Sequence, residues 1–263
     1  MSVLTKIATA TRARIAHEKT LLPLAELQAR LSETRQPQDF AAHFSQPGFQ
    51  VIAEVKLASP SQGDIAPQLS PTEVAADYLR HGATALSVLT EPEFFKGQLD
   101  YLSTIRAAQP QAPLLMKDFI LDPYQLYQAR IAGADACLLI VAMLESSVLK
   151  ELHAQALALG LTPLVEVHNA EELTQAASLK PRLLGVNNRD LKTLKTRLET
   201  SKELAPLAPA GVPLICESGL VTGQDLKQAQ SWGYHGFLIG TSLMRTGQPG
   251  QALAHLLKEA HHA

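Results

Sequence analysis

Lysine and glutamate residues close several apolar runs of this sequence, a position where a charged group has few structural explanations. Residues 113–116 are apolar and Lys117 follows them; Glu54 and Lys56 close an earlier run, and Glu166 lies near the end of a later one. Residues two apart in a strand share a face, so Glu54 and Lys56 would point into the same space. The chemistry that suits such a set is proton transfer.

Convergence of these lysines and glutamates in a partly dry cavity would shift their pKa values apart, which separates acid and base roles at neutral pH. Lys117, Glu166, Lys56 and Glu54 are therefore the candidate acid–base groups. The alternative for Glu54 and Lys56 is a structural ion pair across the end of their strand.

Small residues follow two late strand candidates and predict a phosphate site. They are Ser218 and Gly219 in one place and Gly240 and Thr241 in the other, where backbone N–H groups can approach an anion closely. Turn geometry is the alternative explanation. The long polar loop 59–63 is a third candidate that could close over a ligand, or a plain surface loop.

Histidines and aromatic residues near strand ends are weaker candidates. His168 and His235 lack the spacing of a metal site, so we expect solvated or capping histidines and no metal. Phe94–Phe95 and Phe119 could fill the core or line an aromatic substrate pocket.

The elements that must position these residues recur regularly. Eight strand candidates occupy residues 49–56, 85–90, 114–117, 136–141, 162–167, 183–187, 212–217 and 236–240. Helix-like segments separate them, and parallel strands need crossovers of that length. The pattern predicts a single (β/α)8 TIM barrel domain over residues 1–263, with residues 1–46 as a helical extension packed on the barrel. The candidate acid–base groups and the small residues of the predicted phosphate site then fall at the carboxyl ends of strands, where barrel active sites lie.

Helix boundaries support this interpretation. Ser70 with Glu73 predicts a capping box, Asp122 precedes a proline, and Asn169 stands three residues before Glu172. Glycines follow four helical runs, where a left-handed residue is wanted: Gly82, Gly133, Gly160 and Gly233.

Bulk properties exclude several classes of protein. The formal net charge of -2 gives no general attraction to nucleic acid or to an anionic membrane, so an anion site must be local. Cys137 and Cys216 lie in apolar runs and are expected to be core thiols. No signal peptide or membrane-spanning run is recognisable, which predicts a cytoplasmic protein.

Six segments resemble the indole-3-glycerol-phosphate synthase family of tryptophan biosynthesis. They occur in the family's order, cover almost all of the chain and accompany a similar helical N-terminal extension. The segments are Ala53-Glu54-Val55-Lys56 with Ser59-Pro60-Ser61-Gln62-Gly63; Leu89-Thr90-Glu91 with Phe94-Phe95-Lys96-Gly97; Lys117-Asp118-Phe119; Leu164-Val165-Glu166-Val167; Gly185-Val186-Asn187-Asn188-Arg189-Asp190-Leu191; and Glu217-Ser218-Gly219 with Ile239-Gly240-Thr241-Ser242-Leu243-Met244.

The resemblance implies that 1-(2-carboxyphenylamino)-1-deoxyribulose 5-phosphate closes its ring, loses carbon dioxide and water, and yields indole-3-glycerol phosphate without a cofactor. Lys117 would be the general acid. Glu166 would stabilise positive charge on the aniline nitrogen or act as a second acid–base group. Lys56 would orient the substrate and supply a proton for dehydration, and Glu54 and Asn187 would hold the network in place.

The resemblance also implies ligand contacts. Ser218 joins the catalytic set as a ligand-contacting residue; the substrate-binding residues are Arg189, Phe95, Phe119, Leu138 and Leu191, and the phosphate-binding residues are Ser59, Gly219, Gly240 and Thr241. The partner is then a small phosphorylated aromatic amino-sugar, with possible transient contact with other tryptophan-pathway enzymes and none with nucleic acid or membrane. Leu57 and Gln62 stand where many members carry lysine or arginine, and Thr241 where serine is common.

Three alternatives remain open from the sequence. A Schiff-base keto-phosphate aldolase could use Lys117 as its nucleophile. A phosphoribosylanthranilate isomerase would want a cysteine near the end of the first strand, where this chain has Glu54 and Lys56. A non-catalytic barrel subunit would have lost one of the site groups.

Overall fold

Eight parallel strands close into a barrel in the computed structural model, which describes residues 3–59, 63–66 and 68–262. Each strand pairs with the next, and the last pairs with the first through Gln50 opposite Gly236. The strands are β1 (Gln50–Val55), β2 (Ala85–Leu89), β3 (Leu114–Lys117), β4 (Ala136–Ile140), β5 (Thr162–Val167), β6 (Leu184–Asn187), β7 (Leu214–Glu217) and β8 (Gly236–Ile239). The predicted (β/α)8 barrel is confirmed, with strand boundaries shifted by no more than two residues.

Helices cover the outside of the barrel, which is why its strands are apolar on both faces. They are α1 (Val3–Leu21), α2 (Leu24–Arg30), α3 (Pro71–Arg80), α4 (Asp100–Ala108), α5 (Pro123–Ile131), α6 (Ser146–Ala158), α7 (Ala170–Ser178), α8 (Glu199–Leu204), α9 (Gly223–Ser231), α10 (Thr241–Met244) and α11 (Pro249–His262). Among the residues described, no helix is both long enough and apolar enough to cross a membrane.

Local start and stop signals act largely as expected. The side chains of Asp122 and Asn169 cap α5 and α7. The predicted capping box at Ser70 is wrong, because α3 begins at Pro71 without a side-chain hydrogen bond from Ser70. The predicted proline at the first helical position is present. The four stop glycines all have positive φ, as predicted.

A short hairpin follows β1 and was not predicted. Ala58–Ser59 pairs with Gly63–Asp64, and two residues a side are too few to show a strand pattern. The predicted phosphate loop lies within this hairpin, and its residues Pro60, Ser61 and Gln62 lie outside the described part of the chain.

The N-terminal segment packs on the outer helix α5 and on the barrel interior. Ile15 of α1 and Leu27 of α2 pack with Tyr124 and Tyr127 of α5. Further along, the rings of Phe40 and Phe44 are fully buried, 5.3 Å apart, and pack against residues of the barrel interior.

Those two rings fill the interior near the amino-terminal ends of the strands, where they pack with Ile52 and Leu115. Open space for a ligand is left at the opposite, carboxyl end.

Candidate active site

A cavity of about 510 Å³ opens at the carboxyl ends of the strands. The predicted site residues that line it are Glu54, Lys56, Phe95, Lys117, Phe119, Leu138, Glu166, Asn187, Arg189, Leu191, Ser218, Gly219, Gly240 and Thr241. Ser59 is the exception, because it is buried in the short hairpin and does not line the cavity. The strand order brings these residues together from all parts of the chain.

Lys117 lies at the centre of the charged cluster. Its Nζ is 2.7 Å from Oε2 of Glu217 and 3.2 Å from Oε2 of Glu166. Burial opposes charge on this ammonium, but Glu217, Glu166 and Glu54 outweigh burial and raise the pKa of Lys117 above its ordinary value. Lys117 is therefore a charged proton donor at neutral pH.

Glu217 is a functional candidate to which the sequence analysis assigned no role. The signal was present, because Glu217 closes the apolar run of β7 as Lys117 closes that of β3. Its Oε1 is buried and has no hydrogen-bond partner within the part of the chain that the structure describes. Burial, together with repulsion from Glu166, raises the pKa of Glu217 to about 8 even though Lys117 favours its ionised form. Glu217 thus holds a proton near neutral pH.

Glu166 has the opposite character. Burial disfavours its charge, but Lys117 and His168 overcome that effect and, with a hydrogen bond from Asn187, hold the pKa of Glu166 below its usual value. One buried carboxyl beside Lys117 is thus an anion while its neighbour Glu217 keeps a proton. Such a division is how enzymes separate acid from base.

Glu54 and Lys56 form an ion pair within the same cavity. Glu54 is buried; burial opposes its charge, while Lys56 and Lys117 together lower its pKa. Alternation along β1 predicted that Glu54 and Lys56 share one face of the strand. That face directs the pair across the barrel mouth and also places it beside Lys117.

Two glycines make room for these carboxylates. A Cβ atom on Gly185 would collide with Oε1 of Glu217, and one on Gly240 would lie 2.6 Å from Oε1 of Glu54. Any larger residue would displace a charged group of the cluster. Gly240 was predicted as a phosphate contact, and the structure adds this packing role.

Small residues and cations line the β7 and β8 side of the cavity. Ser218 and Gly219 both have positive φ, at 65° and 84°, and form a tight turn directly after Glu217. Arg189 and Arg245 line the cavity too, and Arg245 was not singled out from the sequence. Backbone N–H groups with nearby guanidinium groups can hold an anion such as phosphate.

Aromatic rings form another wall. Phe95 and Phe119 lie 5.8 Å apart at 42°, and both line the cavity beside Leu138 and Leu191. The carboxylate of Glu91 shapes the loop that carries Phe95, by accepting hydrogen bonds from its backbone. A flat, apolar group fits this wall.

His168 was predicted to be a solvated or a capping histidine, and the solvated state is wrong because the residue is largely buried at the start of α7. Its side chain is only 10% exposed, with Nε2 3.2 Å from Oε1 of Glu166 and Nδ1 3.0 Å from Oε2 of Glu172. Burial opposes charge on the ring, but the two carboxylates raise the pKa of His168 to about 10. Its location immediately after β5 brings it under Glu166.

Comparisons with known proteins give a consistent result. A family model described as indole-3-glycerol phosphate synthase matches residues 4–256. The chain is similar to the indole-3-glycerol phosphate synthase of Salinibacter ruber, with 44% identity over 260 residues that cover 98% of this chain and 96% of that protein. It is 50% identical over 208 residues to the protein of that name from Carboxydothermus hydrogenoformans, covering 79% and 78% of the two chains.

Among solved structures, the chain resembles a crystal structure of 3-hexulose-6-phosphate synthase with a TM-score of 0.62. The sequence identity is 15%, and the match covers 80% of this chain and 99% of that one. This likeness supports the barrel fold alone.

Proposed function

The chain belongs to the indole-3-glycerol phosphate synthase family, and on that premise we propose that its buried lysine–glutamate cluster performs the acid–base steps of the reaction. The activity is that of a carboxy-lyase in tryptophan biosynthesis. The substrate 1-(2-carboxyphenylamino)-1-deoxyribulose 5-phosphate closes its ring, loses carbon dioxide and water, and yields indole-3-glycerol phosphate.

The observation that carries the proposed mechanism is the position of Lys117 between Glu166 and Glu217 on the cavity floor. The aromatic carbon that bears the carboxyl group attacks the ketone carbon, and the ketone oxygen takes a proton from Lys117. Loss of carbon dioxide then restores the aromatic ring. Glu217, which holds a proton near neutral pH, is placed to return one to Lys117.

Dehydration completes the indole. The hydroxyl formed from the ketone leaves as water after receiving a proton from Lys56, which Glu54 holds in the cavity. Glu166 is an anion in the same space, so it stabilises the positive charge that develops on the aniline nitrogen and accepts the proton which that nitrogen or its neighbouring carbon releases.

The two ends of the substrate match two walls of the cavity. Its phosphate fits Gly219, Gly240 and Thr241, and its carboxyphenyl ring fits against the wall formed by Phe95 and Phe119. Arg189, Leu138 and Leu191 complete the ring's surroundings. A phosphate contact from Ser59, a cytoplasmic location and contact with other pathway enzymes stay predictions.

The electrostatics favour proton donation over Schiff-base chemistry. A lysine nucleophile needs a depressed pKa so that its amine is neutral, whereas the surrounding carboxylates raise the pKa of Lys117. A non-catalytic barrel is disfavoured as well, because every proposed acid–base group lines the cavity.

Conversion of the carboxyphenylamino-deoxyribulose phosphate, followed through the fluorescence of the indole product, tests the proposal. We expect Lys117→Ala to lower kcat at least about 10³-fold, with an unchanged circular dichroism spectrum. Lys150→Ala, an exposed lysine on α6, serves as the control and should keep wild-type activity. Turnover by Lys117→Ala, or a borohydride-stable keto-phosphate adduct on Lys117 of the wild type, would contradict the acid role.

A further inference from the structure

The carboxylate of Glu166 is shared between two cations. Its Oε2 lies 3.2 Å from Nζ of Lys117, and its Oε1 lies 3.2 Å from Nε2 of His168. The other ring nitrogen of His168 lies 3.0 Å from Oε2 of Glu172. Alternating charges therefore lead from the cavity floor to the start of α7.

The outer end of this chain of charges is held by the helix cap. Oε2 of Glu172 accepts a 2.8 Å hydrogen bond from the backbone N–H of His168, and Oε1 accepts a 2.7 Å hydrogen bond from the side-chain amide of Asn169. Asn169 in turn accepts a 2.9 Å hydrogen bond from the backbone N–H of Glu172. The reciprocal cap leaves the Glu172 carboxylate little freedom to move away from the ring.

Both nitrogens of His168 face carboxylate oxygens, which determines the state of the ring. A neutral imidazole has one N–H, so one of its nitrogens would face a carboxylate with a lone pair, whereas both nitrogens of an imidazolium carry a proton. Nδ1 hydrogen-bonds Glu172, and Nε2 meets Glu166 as an ion pair without the alignment of a hydrogen bond. The one-turn helix Val141–Met143 packs against both β5 and α7 and carries no titratable side chain. The titratable groups beyond Glu166 are Lys117, Glu217 and Glu54.

We propose that His168, kept charged by Glu172, is a positioning residue that holds Glu166 as an anion oriented toward Lys117. His168 does not line the cavity, so it acts through Glu166 and not on the substrate. This inference rests on the proposed function, in which Glu166 is the acid–base partner of Lys117. It assigns a role in the reaction to the His168–Asn169–Glu172 cap, which would otherwise only begin a helix.

Glu172→Gln is the decisive variant, because glutamine removes the charge but keeps one acceptor oxygen for His168 and the hydrogen bond from the residue-172 N–H to Asn169. The contact of Oε1 with the Asn169 amide is lost. Glu171→Gln is the matched control, an exposed neighbour on the same turn of α7. Histidine ring resonances, with His168 assigned from a His168→Gln spectrum, would be followed by NMR against pH. We expect His168 to stay protonated through pH 8 in the wild type and in Glu171→Gln, and its pKa to fall by at least about one unit in Glu172→Gln.

The outcomes separate cleanly. A neutral His168 at pH 7 in the wild type, or the same titration in Glu172→Gln, would overturn the proposal. The NMR measurement needs no turnover, so failure to convert the substrate would count against the proposed function and leave this test to decide the role of His168. If His168→Gln does not fold, the ring resonances of His168 can be assigned in the other variants from the proximity of the ring to Glu172.

The pH profile of kcat provides the readout that a merely structural role would not move. Glu217 would set a first alkaline step near pH 8, and His168 a second one at higher pH. We expect this second step to shift about one unit lower in Glu172→Gln, with KM within about twofold, because His168 would then lose its proton, and its hold on Glu166, at lower pH. In a His168→Gln background, Glu172→Gln should cause no further shift. Identical profiles in the wild type and Glu172→Gln, or an undiminished shift without His168, would contradict the coupling.

Discussion

Buried charges occupy both ends of this barrel, but the two clusters are built differently. At the amino-terminal end, Asp135 precedes β4 and is fully buried. Its Oδ1 accepts from Arg35 at 2.6 Å, and its Oδ2 accepts from Arg106 at 2.6 Å and from the backbone N–H of Leu114 at 3.0 Å. The backbone N–H of Gln38 donates to Oδ1 as well, at 2.9 Å.

At the carboxyl end, three carboxyl groups surround two ammonium groups, and Oε1 of Glu217 has no hydrogen-bond partner among the residues described. A satisfied cluster has one stable protonation state, whereas an incompletely satisfied one can exchange protons and accept a ligand. We conclude that the Asp135 cluster anchors the N-terminal extension to the barrel, and that the Lys117 cluster is suited to reaction at a cost in stability.

Asp135→Asn tests the stabilising end and should have the largest effect. Removing the charge leaves the partly buried Arg35 and Arg106 without their carboxylate, so we expect a loss of about 3–5 kcal/mol in the free energy of unfolding. Urea denaturation would measure it, while kcat at low temperature should stay within about twofold of wild type. A loss of kcat without a loss of stability would mean that the Asp135 cluster serves the reaction and does not stabilise the fold.

Glu217→Gln tests the reactive end, and we expect kcat to fall about 10²-fold because the proton relay to Lys117 is lost. The free energy of unfolding should change in the opposite sense to that of Asp135→Asn, because Glu217→Gln should stabilise the fold. The pKa of Glu217 rises from 4.5 to about 8 on folding, so the proton that it holds stabilises the fold below pH 4.5, and that contribution is lost as pH rises to about 8.

Glutamine does not titrate, so the free energy of unfolding of Glu217→Gln should exceed that of wild type increasingly from pH 5 to pH 8. Denaturation at a series of pH values would measure the difference. A variant that is less stable than wild type at pH 8 would show that Glu217 contributes to folding as Asp135 does.

Arg182→Ala should have the smallest effect on the free energy of unfolding. It tests whether the burial of an ion pair, or its location on the N-terminal extension, determines how much the pair stabilises the fold. Arg182 pairs with Asp39 of the N-terminal extension at 2.6 Å, but both side chains are about half exposed. An exposed ion pair contributes about 0–1 kcal/mol, so the free energy of unfolding should fall by less than about 1 kcal/mol. A loss as large as that of Asp135→Asn would mean that attachment of the extension, and not burial of charge, determines stability.

Much of the site could be predicted because its residues sit at one repeated place. Lys117 and Asn187 each end a buried strand, and parallel pairing then brings such ends to the same rim of the barrel. Glu217 carries the same signal, but without coordinates its distance from Lys117 across the barrel could not be known. The burial of His168 could not be predicted for a related reason, because its environment is made by Glu166 above it and Glu172 on the next helix.

The amino-acid sequence by itself determined the eight strands, the helix starts and stops, and the end of the barrel where polar groups gather, since these follow from hydrophobic periodicity and local backbone preferences. Only the tertiary structure decided which carboxyl keeps a proton. That depends on how closely β3, β5 and β7 bring Lys117, Glu166 and Glu217 together in a buried space. Electrostatic interactions between residues 49 and 100 positions apart are set by barrel closure, which no local pattern in the chain records.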